Sequence, residues 1–219
     1  MQDADMRRGA KTVVEVCAMV KPNENVVIVT DPELAHQARL LAEAVRDAKA
    51  EPVICVMTTR ESDGQEPPVT VAAAMAKCHV FLCPVSTSIT HTNAVHRAAE
   101  AGARGIMLTQ FTDEMMARGG IEADFPSLAP VCRSVAKALE GARPIHLTSP
   151  AGTDLYMSAE GRRGNAMFCI VEPGQFSPVP NVEANVSPVE GSAHGVIVAD
   201  ASIPYVGIGI LREPVRIPI

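Results

Sequence analysis

Residues Asn25 to Thr30 read NVVIVT, and Asp31 and Pro32 follow at once. A continuous apolar and β-branched run of this length is typical of a strand that is covered on both faces. Asp at the N-cap position and Pro at the first helical position then start a helix. A strand that leads directly into a helix is the unit from which parallel α/β sheets are built, so this stretch decides the fold class.

The same alternation of strand and helix patterns extends on both sides of this stretch. The further predicted strands are 52–58, 79–84 and 105–109, and the predicted helices are 6–20, 34–45, 69–77, 91–101 and 127–139. Strands that alternate with helices predict βα units on a parallel sheet. We therefore expect an α/β fold with a doubly wound, mostly parallel sheet over residues 1–142.

The character of the chain changes after residue 142. Residues 151–219 hold seven prolines and eight glycines, and all five lysines lie before residue 150. No helix pattern remains, and the strand-like segments are 144–148, 154–158, 166–171, 195–199 and 207–211. The sequence thus predicts two domains, an α/β domain at 1–142 and the start of a β-rich second domain at 143–219.

Composition removes several classes of function. The chain has 19 Lys and Arg against 25 Asp and Glu, and only 3% aromatic residues, which argues against a nucleic-acid partner. The apolar runs are far shorter than the ~20 residues of a membrane span, and the first twenty residues hold no secretory signal. The six cysteines show no CxxC spacing, which indicates reduced thiols in a reducing compartment. We therefore expect a cytoplasmic protein with no membrane or nucleic-acid partner.

Common catalytic and nucleotide-binding motifs are missing from the sequence. The turn after the first strand, Thr30 to Glu33, holds no glycine, so the dinucleotide fingerprint is absent, as is the P-loop pattern. The GxSxG elbow of serine hydrolases and the HExxH motif of zinc proteases are absent too.

A hydroxyl-rich segment, STSITHTN at residues 86–93, follows the third predicted strand. Open α/β sheets bind ligands at the carboxyl ends of their strands, and free N–H groups at a helix start can hold an anion. The residues alone leave two interpretations open, a ligand site or a plain helix cap with a solvated His91. His91 and His96 lie about 140° apart around a helix, so they cannot chelate one metal as an i, i+4 pair does.

A second unusual segment runs from residue 180 to residue 195 and holds Glu183 and Glu190. Glu183 lies between two asparagines, and strand alternation places it on the same face as Asn185. A carboxylate on a strand with apolar neighbours needs either a cation or a hydrogen-bonding partner. A metal ligand and a buried polar pair therefore both remain possible at this point.

Four segments taken together resemble one family, the M29 metallopeptidases or aminopeptidase T-like enzymes. The segments are STSITHT at 86–92, SPAGTDL at 149–155, the Pro- and Glu-containing stretch at 180–191, and DASI at 200–203. The resemblance spans essentially the whole chain. It implies a metal-dependent enzyme with an N-terminal α/β domain and a C-terminal β-rich domain that holds paired divalent cations.

The resemblance also implies roles for three residues. Glu183 matches the first metal-ligating glutamate, with Val182 where the family usually has Gly, and His91 and Asp154 match positions that we assign to the wall of the substrate cleft. The family's remaining ligands come downstream of DASI, whereas this chain ends nineteen residues after Asp200. We therefore expect either a fragment of a longer protein or a truncated homologue, with a metal that this chain does not fully bind.

A second branch looks related to the peptidases: the dihydroxypyridine ring-opening dioxygenases, with a single Fe(II) held by two His and one Asp. The presence of Glu183 favours the hydrolase branch over the dioxygenase branch. The main hypothesis is an aminopeptidase-like hydrolase in which Mn, Co or Zn activates water to cleave an N-terminal amino acid or small amide. The alternatives are a ring-opening dioxygenase or aromatic aminohydrolase, and a non-catalytic α/β small-molecule binding module. We assign no catalytic residue, and we expect a peptide or small-molecule substrate and a homo-oligomer, in the simplest case a dimer.

Overall fold

A computed structural model describes residues 3–204 and 207–219. The chain forms two compact units, one of Met1–Ala129 with Met167–Val182 and one of Pro130–Ala166 with Glu183–Ile219. The α-helices are α1 (Asp3–Lys11), α2 (Ala35–Asp47), α3 (Val69–Met75), α4 (Asn93–Glu100), α5 (Asp113–Ala117) and α6 (Phe125–Leu139). The strands of the first unit's sheet are β1 (Asn25–Thr30), β2 (Glu51–Val56), β3 (Val80–Val85), β4 (Arg104–Thr109) and β8 (Phe176–Pro178). The other strands are β5 (Ile145–Thr148), β6 (Asp154–Met157), β7 (Asn165–Met167), β9 (Glu183–Asn185), β10 (His194–Ala199), β11 (Ser202–Ile203), β12 (Gly209–Ile210) and β13 (Val215–Pro218).

The first unit is built on a parallel sheet with the strand order β2-β1-β3-β4-β8. Strand β1, which pairs with β2 on one side and β3 on the other, contributes side chains to two cores, because successive side chains of a strand point to opposite faces. Val26 and Ile28 pack into one core with residues of α1 and α2, whereas Val27 and Val29 pack into the other with residues of α3 and α4. Helices thus cover both faces of the sheet, and the predicted doubly wound α/β class is confirmed.

The fifth strand of this sheet comes from late in the chain. β8 pairs in parallel with β4, and the strand pattern did not predict it because it is only three residues long and contains a proline. Gly105 makes the close packing here possible. A Cβ at that position would lie 2.1 Å from Phe81 Cζ and 2.8 Å from Phe176 Cβ, so only glycine fits between these two side chains.

The N-terminal helix differs from the single helix expected at 6–20. α1 ends at Lys11, and residues Thr12–Cys17 form a π-helical segment in which Ala18 N–H donates to Val13 O at 2.9 Å. The wider turn places Val13, Val14 and Cys17 together in the core. Within the described ranges, no helix combines the length and the apolar character needed to cross a bilayer.

The second unit contains a mixed set of short strands around an antiparallel sheet with the order β13-β10-β6-β5. The two small sheets, β7 with β9 and β11 with β12, have two strands each. The segment predicted as a strand at 166–171 is shorter than expected, since β7 ends at Met167 and Cys169 has a left-handed backbone with φ +67°. The domain boundary between residues 142 and 143 stays a prediction. The compact units divide the chain differently, because residues 167–182 belong to the first unit.

One buried ion pair lies at the amino end of the parallel sheet. The guanidinium of Arg104, at the start of β4, contacts the carboxylate of Glu24, and their side chains are 6% and 14% exposed. The same guanidinium donates through Nε to Ala18 O at 2.9 Å. Arg104 therefore connects the end of the π-helical segment, the entry to β1 and the start of β4.

We expect Arg104→Ala to lower the free energy of unfolding by about 3 to 5 kcal/mol, because the variant leaves the Glu24 carboxylate buried without its cation. The matched control is Arg118→Ala, which removes an exposed pair with Glu114 and should cost at most about 0.5 kcal/mol. Urea denaturation of both variants measures the difference. Equal losses would show that burial does not set the value of the Arg104 pair.

Candidate functional site

The carboxyl ends of β1 and β3 are joined by one buried carboxylate. Asp31 is 1% exposed, and its Oδ2 accepts hydrogen bonds from the Ser86 N–H at 2.7 Å and the Ser86 hydroxyl at 2.6 Å. Its Oδ1 accepts from Leu34 N–H at 3.4 Å and so caps the short 3₁₀ turn Pro32–Leu34. The predicted N-cap role of Asp31 is present, and the contact with Ser86 fixes where the hydroxyl-rich loop begins.

The hydroxyl-rich loop, defined as residues 86–92, is held by the loop that follows β2. Thr87 Oγ1 donates to Arg60 O at 2.9 Å, and Ser88 N–H donates to Asp63 Oδ1 at 2.8 Å. Gly64 N–H donates in return to Ser88 O at 2.8 Å. These polar groups are therefore used within the protein, which shapes the carboxyl edge of the sheet.

The N-terminus of α4 already holds a carboxylate. The side chain of Glu66 accepts from Asn93 N–H at 2.6 Å, from Asn93 Nδ2 at 3.0 Å and from Ala94 N–H at 3.2 Å. Thr92 Oγ1 accepts from Val95 N–H at 3.4 Å. Because these groups are satisfied by the protein itself, the structure favours the helix-cap interpretation of this segment over an anion site. His91 is exposed in the turn just before the helix.

Asp154 lies in the second unit, beside a row of stacked rings. Its Oδ1 is 2.7 Å from His146 Nε2 on the adjacent strand. The His146 ring stacks on Tyr156 with centroids 4.0 Å apart and 8° between the planes, and Tyr156 stacks on His194 at 5.6 Å and 13°. Register explains the row, because Tyr156 lies directly opposite His146 on one side and His194 on the other. We call these three rings the β6 ring row.

Glu183 is the first residue of β9 and is exposed. Its Oε1 accepts from Asn185 Nδ2 at 2.5 Å, so the two side chains share one face as alternation predicts. The exposure means that the carboxylate is solvated and does not need a cation to offset burial. Its role as a metal ligand stays a prediction.

The structure does not gather the predicted site residues into a metal centre. His91 belongs to the first compact unit, whereas Asp154 and Glu183 belong to different sheets of the second. Across residues 3–204 and 207–219, no group of three or more His, Cys, Asp or Glu side chains could hold a metal ion. The described residues therefore do not fit a bound metal ion.

Sequence reasoning missed three features of these surfaces. It took Asp31 as a helix cap alone, and it assigned no role to Glu66 or to the β6 ring row. Asp31 and Glu66 act on residues more than 25 positions away, which no local pattern reports. One local pattern bears on the β6 ring row: strand alternation predicts which face of its strand His146 occupies and which face Tyr156 occupies. Whether the two rings then meet depends on the register between the strands.

Two solved structures share this fold. The 2,5-dihydroxypyridine dioxygenase from Pseudomonas putida KT2440 superposes with a TM-score of 0.81 and 16% identity, over 100% of this chain and 66% of that one. AmpT from Thermus thermophilus superposes with a TM-score of 0.62 and 16% identity, over 90% of this chain and 65% of that one. The chain thus spans just under two thirds of the length of each structure. No curated protein sequence matches it.

The α/β sheet followed by a β-rich unit places the chain in the structural class that these two proteins share. The family model of NicX, 2,5-dihydroxypyridine 5,6-dioxygenase, matches residues 5–219, and the chain belongs to that family. The expected relation to the ring-opening dioxygenases is confirmed, whereas the M29 metallopeptidases as the chain's own family are not, and the similarity to AmpT shows a shared fold. The aminopeptidase-like hydrolase hypothesis is wrong, because the matching family is the dioxygenase branch that Glu183 was taken to disfavour.

We expect Glu66→Ala to lower the free energy of unfolding by about 1 kcal/mol, because the variant leaves N–H groups at the start of α4 without their acceptor. Glu61→Ala, an exposed carboxylate of the same loop, is the control and should change it by less than about 0.5 kcal/mol. Thermal or urea unfolding measures both. An unchanged Glu66→Ala variant would mean that this carboxylate does not stabilise the helix.

Proposed function

We propose that this chain takes part in the oxygen-dependent opening of a hydroxylated pyridine ring. The observation that carries the proposal is the match of the NicX family model to residues 5–219, nearly the full sequence. The fold similarity to the Pseudomonas putida dioxygenase, at a TM-score of 0.81, supports it. The matching family is a family of enzymes. What we propose is the substrate and the reaction of this particular chain.

The carboxyl edge of the first unit agrees with an uncharged ring as the ligand. The side-chain carboxylate of Glu66 already binds the N–H groups at the start of α4, so this helix terminus is not free for a carboxylate or phosphate group of a ligand. The exposed His91 can form a hydrogen bond with a hydroxyl group of the ring. We therefore propose His91 as a residue that contacts the substrate.

In the second unit, Asp154 lies next to the β6 ring row. Aromatic side chains favour contact with another ring, either stacked or edge-on, with centroids about 4.5 to 7 Å apart. A pyridine substrate offers such a ring, and an amide of an aliphatic amino acid does not. We propose Asp154 as a substrate-wall residue on this basis, and we assign no catalytic residue.

A ring-opening dioxygenase of this kind is expected to use Fe(II), which would bind and activate oxygen. The described residues assemble no three-ligand group for it, so we assign no residue to iron. Cytoplasmic location, a homo-oligomeric state and the absence of nucleic-acid and membrane partners stay predictions from the sequence.

We expect the 219-residue chain to bind 2,5-dihydroxypyridine in a saturable way without metal and without oxygen. Anaerobic isothermal titration calorimetry measures this binding, and leucine amide serves as the peptidase-type comparison ligand. His91→Ala should weaken pyridine binding by about 10-fold if one hydrogen bond to the ring is lost. His36, a partly exposed residue of α2, provides the control variant His36→Ala, which should bind as the wild type does.

Two results would contradict this proposal. One is saturable binding of leucine amide together with no binding of the pyridine. The other is release of amino acids from amide substrates with added Mn, Co or Zn and no loss of pyridine with added Fe(II) and oxygen. An unchanged affinity in His91→Ala would overturn the role of His91 alone and leave the ring-opening proposal in place.

We expect Fe(II), Mn(II), Co(II) and Zn(II) to bind this chain only weakly, with half-saturation far above an equimolar metal concentration. An exposed carboxylate with water in the remaining coordination positions competes poorly with full hydration of the ion. Glu183→Ala and wild type should therefore titrate alike in equilibrium dialysis. A stoichiometric transition in wild type that Glu183→Ala removes would show that Glu183 anchors a complete metal site.

A further inference from the structure

A cavity of about 440 Å³ opens in the first unit beside α1. Its wall is formed by residues within 8–16, from the N-terminal helical region, and within 117–126, which run from α5 to the start of α6. None of the lining residues belongs to the hydroxyl-rich loop or to the β6 ring row. Small-molecule sites in proteins have volumes of about 300 to 1,000 Å³, so this cavity is large enough for a small organic ligand.

The backbone next to the cavity is unusual at two points. A Cβ at Gly9 would lie 1.8 Å from Met116 O, so α1 approaches the backbone of α5 at a distance that only glycine permits. The π-helical segment Thr12–Cys17 follows α1 directly, and its residues Thr12 and Val16 both line the cavity. Turns of π-helix occur frequently at functional sites. The cavity therefore lies where a close helix contact is followed by a widened helical turn.

The interior of the cavity is mostly apolar. Ala117 and Ile121 are 2% and 1% exposed, and they line the cavity together with Val16, Ala123 and Pro126. The removal of apolar surface from water is favourable in proportion to the area that is covered. These walls therefore suit a ligand with an apolar body, such as a single ring with a short side chain.

The rim of the cavity carries more negative than positive charge. The guanidinium of Arg8 lies 3.0 Å from Asp5 Oδ1 and 3.5 Å from Glu122 Oε1, so two carboxylates of the protein already balance its charge. Asp124 also lies on the rim, and within residues 3–204 and 207–219 it forms no ion pair. The hydroxyl and the N–H of Ser127 donate to its carboxylate at 2.5 Å and 3.2 Å. These bonds lower the pKa of Asp124, so the carboxylate is ionised at neutral pH.

We propose that this cavity binds a small organic cation, whose apolar body occupies the cavity and whose protonated amine contacts the carboxylate of Asp124. An ionised carboxylate has about four lone-pair sites, so it can accept N–H bonds from an ammonium group beside those from Ser127. An anionic ligand is disfavoured, because Asp124 and Glu122 repel it and Arg8 is already paired. A neutral ligand gains the apolar contact alone. The site is independent of the proposed ring opening, since the two share no residue.

The experiment compares three probes of similar size and different charge on the complete chain: phenethylamine, phenethyl alcohol and hydrocinnamate. Amide NMR shifts of the isotope-labelled chain at neutral pH follow each titration. Phenethylamine should bind in a saturable way and about 5-fold more tightly than the alcohol, and hydrocinnamate should bind most weakly. The shifts should centre on the backbone amides of Gly9, Thr12, Ala117 and Ile121. Added salt should bring the affinity for the amine closer to that for the alcohol.

The variant Asp124→Asn tests the contact with the amine. It removes the charge and keeps a residue that can cap the start of α6, so the fold should remain. It should weaken binding of phenethylamine about 5-fold, to the affinity of the alcohol, and leave binding of the alcohol unchanged. The matched control is Glu114→Gln, which neutralises an exposed carboxylate of α5 that does not line the cavity. This control should bind phenethylamine as the wild type does.

Three results would overturn the proposal: no saturable binding of phenethylamine, equal or tighter binding of the alcohol or of hydrocinnamate, or shifts that centre outside residues 8–16 and 117–126. A loss of amine affinity in Glu114→Gln as large as that in Asp124→Asn would overturn the role of the Asp124 charge. The comparison of the three probes on wild type decides the matter even if Asp124→Asn fails to fold.

Discussion

The buried carboxylate of Asp31 is the constraint on which the carboxyl edge of the sheet depends. A carboxylate that is removed from water is unstable unless hydrogen bonds replace its hydration. Asp31 receives those bonds from Ser86 and from the backbone of Leu34, so β1, the first turn after it and the loop after β3 are tied at one point. The position of the hydroxyl-rich loop, and with it that of His91, follows from this requirement.

The edge that Asp31 organises is largely satisfied by its own polar groups. Glu66 fills the start of α4, and Asp63 and the backbone of Arg60 hold the hydroxyl-rich loop. Fixed hydrogen bonds of this kind shape a surface without leaving many groups free for a ligand. A ligand at this edge would therefore be recognised by exposed side chains. This arrangement suits an uncharged aromatic ring better than an anion.

The branch of chemistry was the main error of the sequence interpretation, and its cause lies in how much was inferred from Glu183. One carboxylate was taken as the mark of a dinuclear hydrolase site. In the structure this side chain is exposed and hydrogen-bonded to Asn185, and no three-ligand group forms within the described ranges. A metal site is a property of several side chains in space, so a single residue at a matching position cannot separate two families that share a fold.

The sequence by itself determined the α/β class, because the apolar run at 25–30 can be buried only in a sheet covered on both faces, and Asp31-Pro32 can only start a helical turn there. It also determined the antiparallel strands β5, β6 and β10, whose patterns are local. The tertiary structure alone decided the return of β8 to the parallel sheet, the Asp31–Ser86 and Glu66–α4 contacts, and the β6 ring row. These contacts join residues far apart in the chain, and packing and strand register, which no local pattern encodes, bring them together.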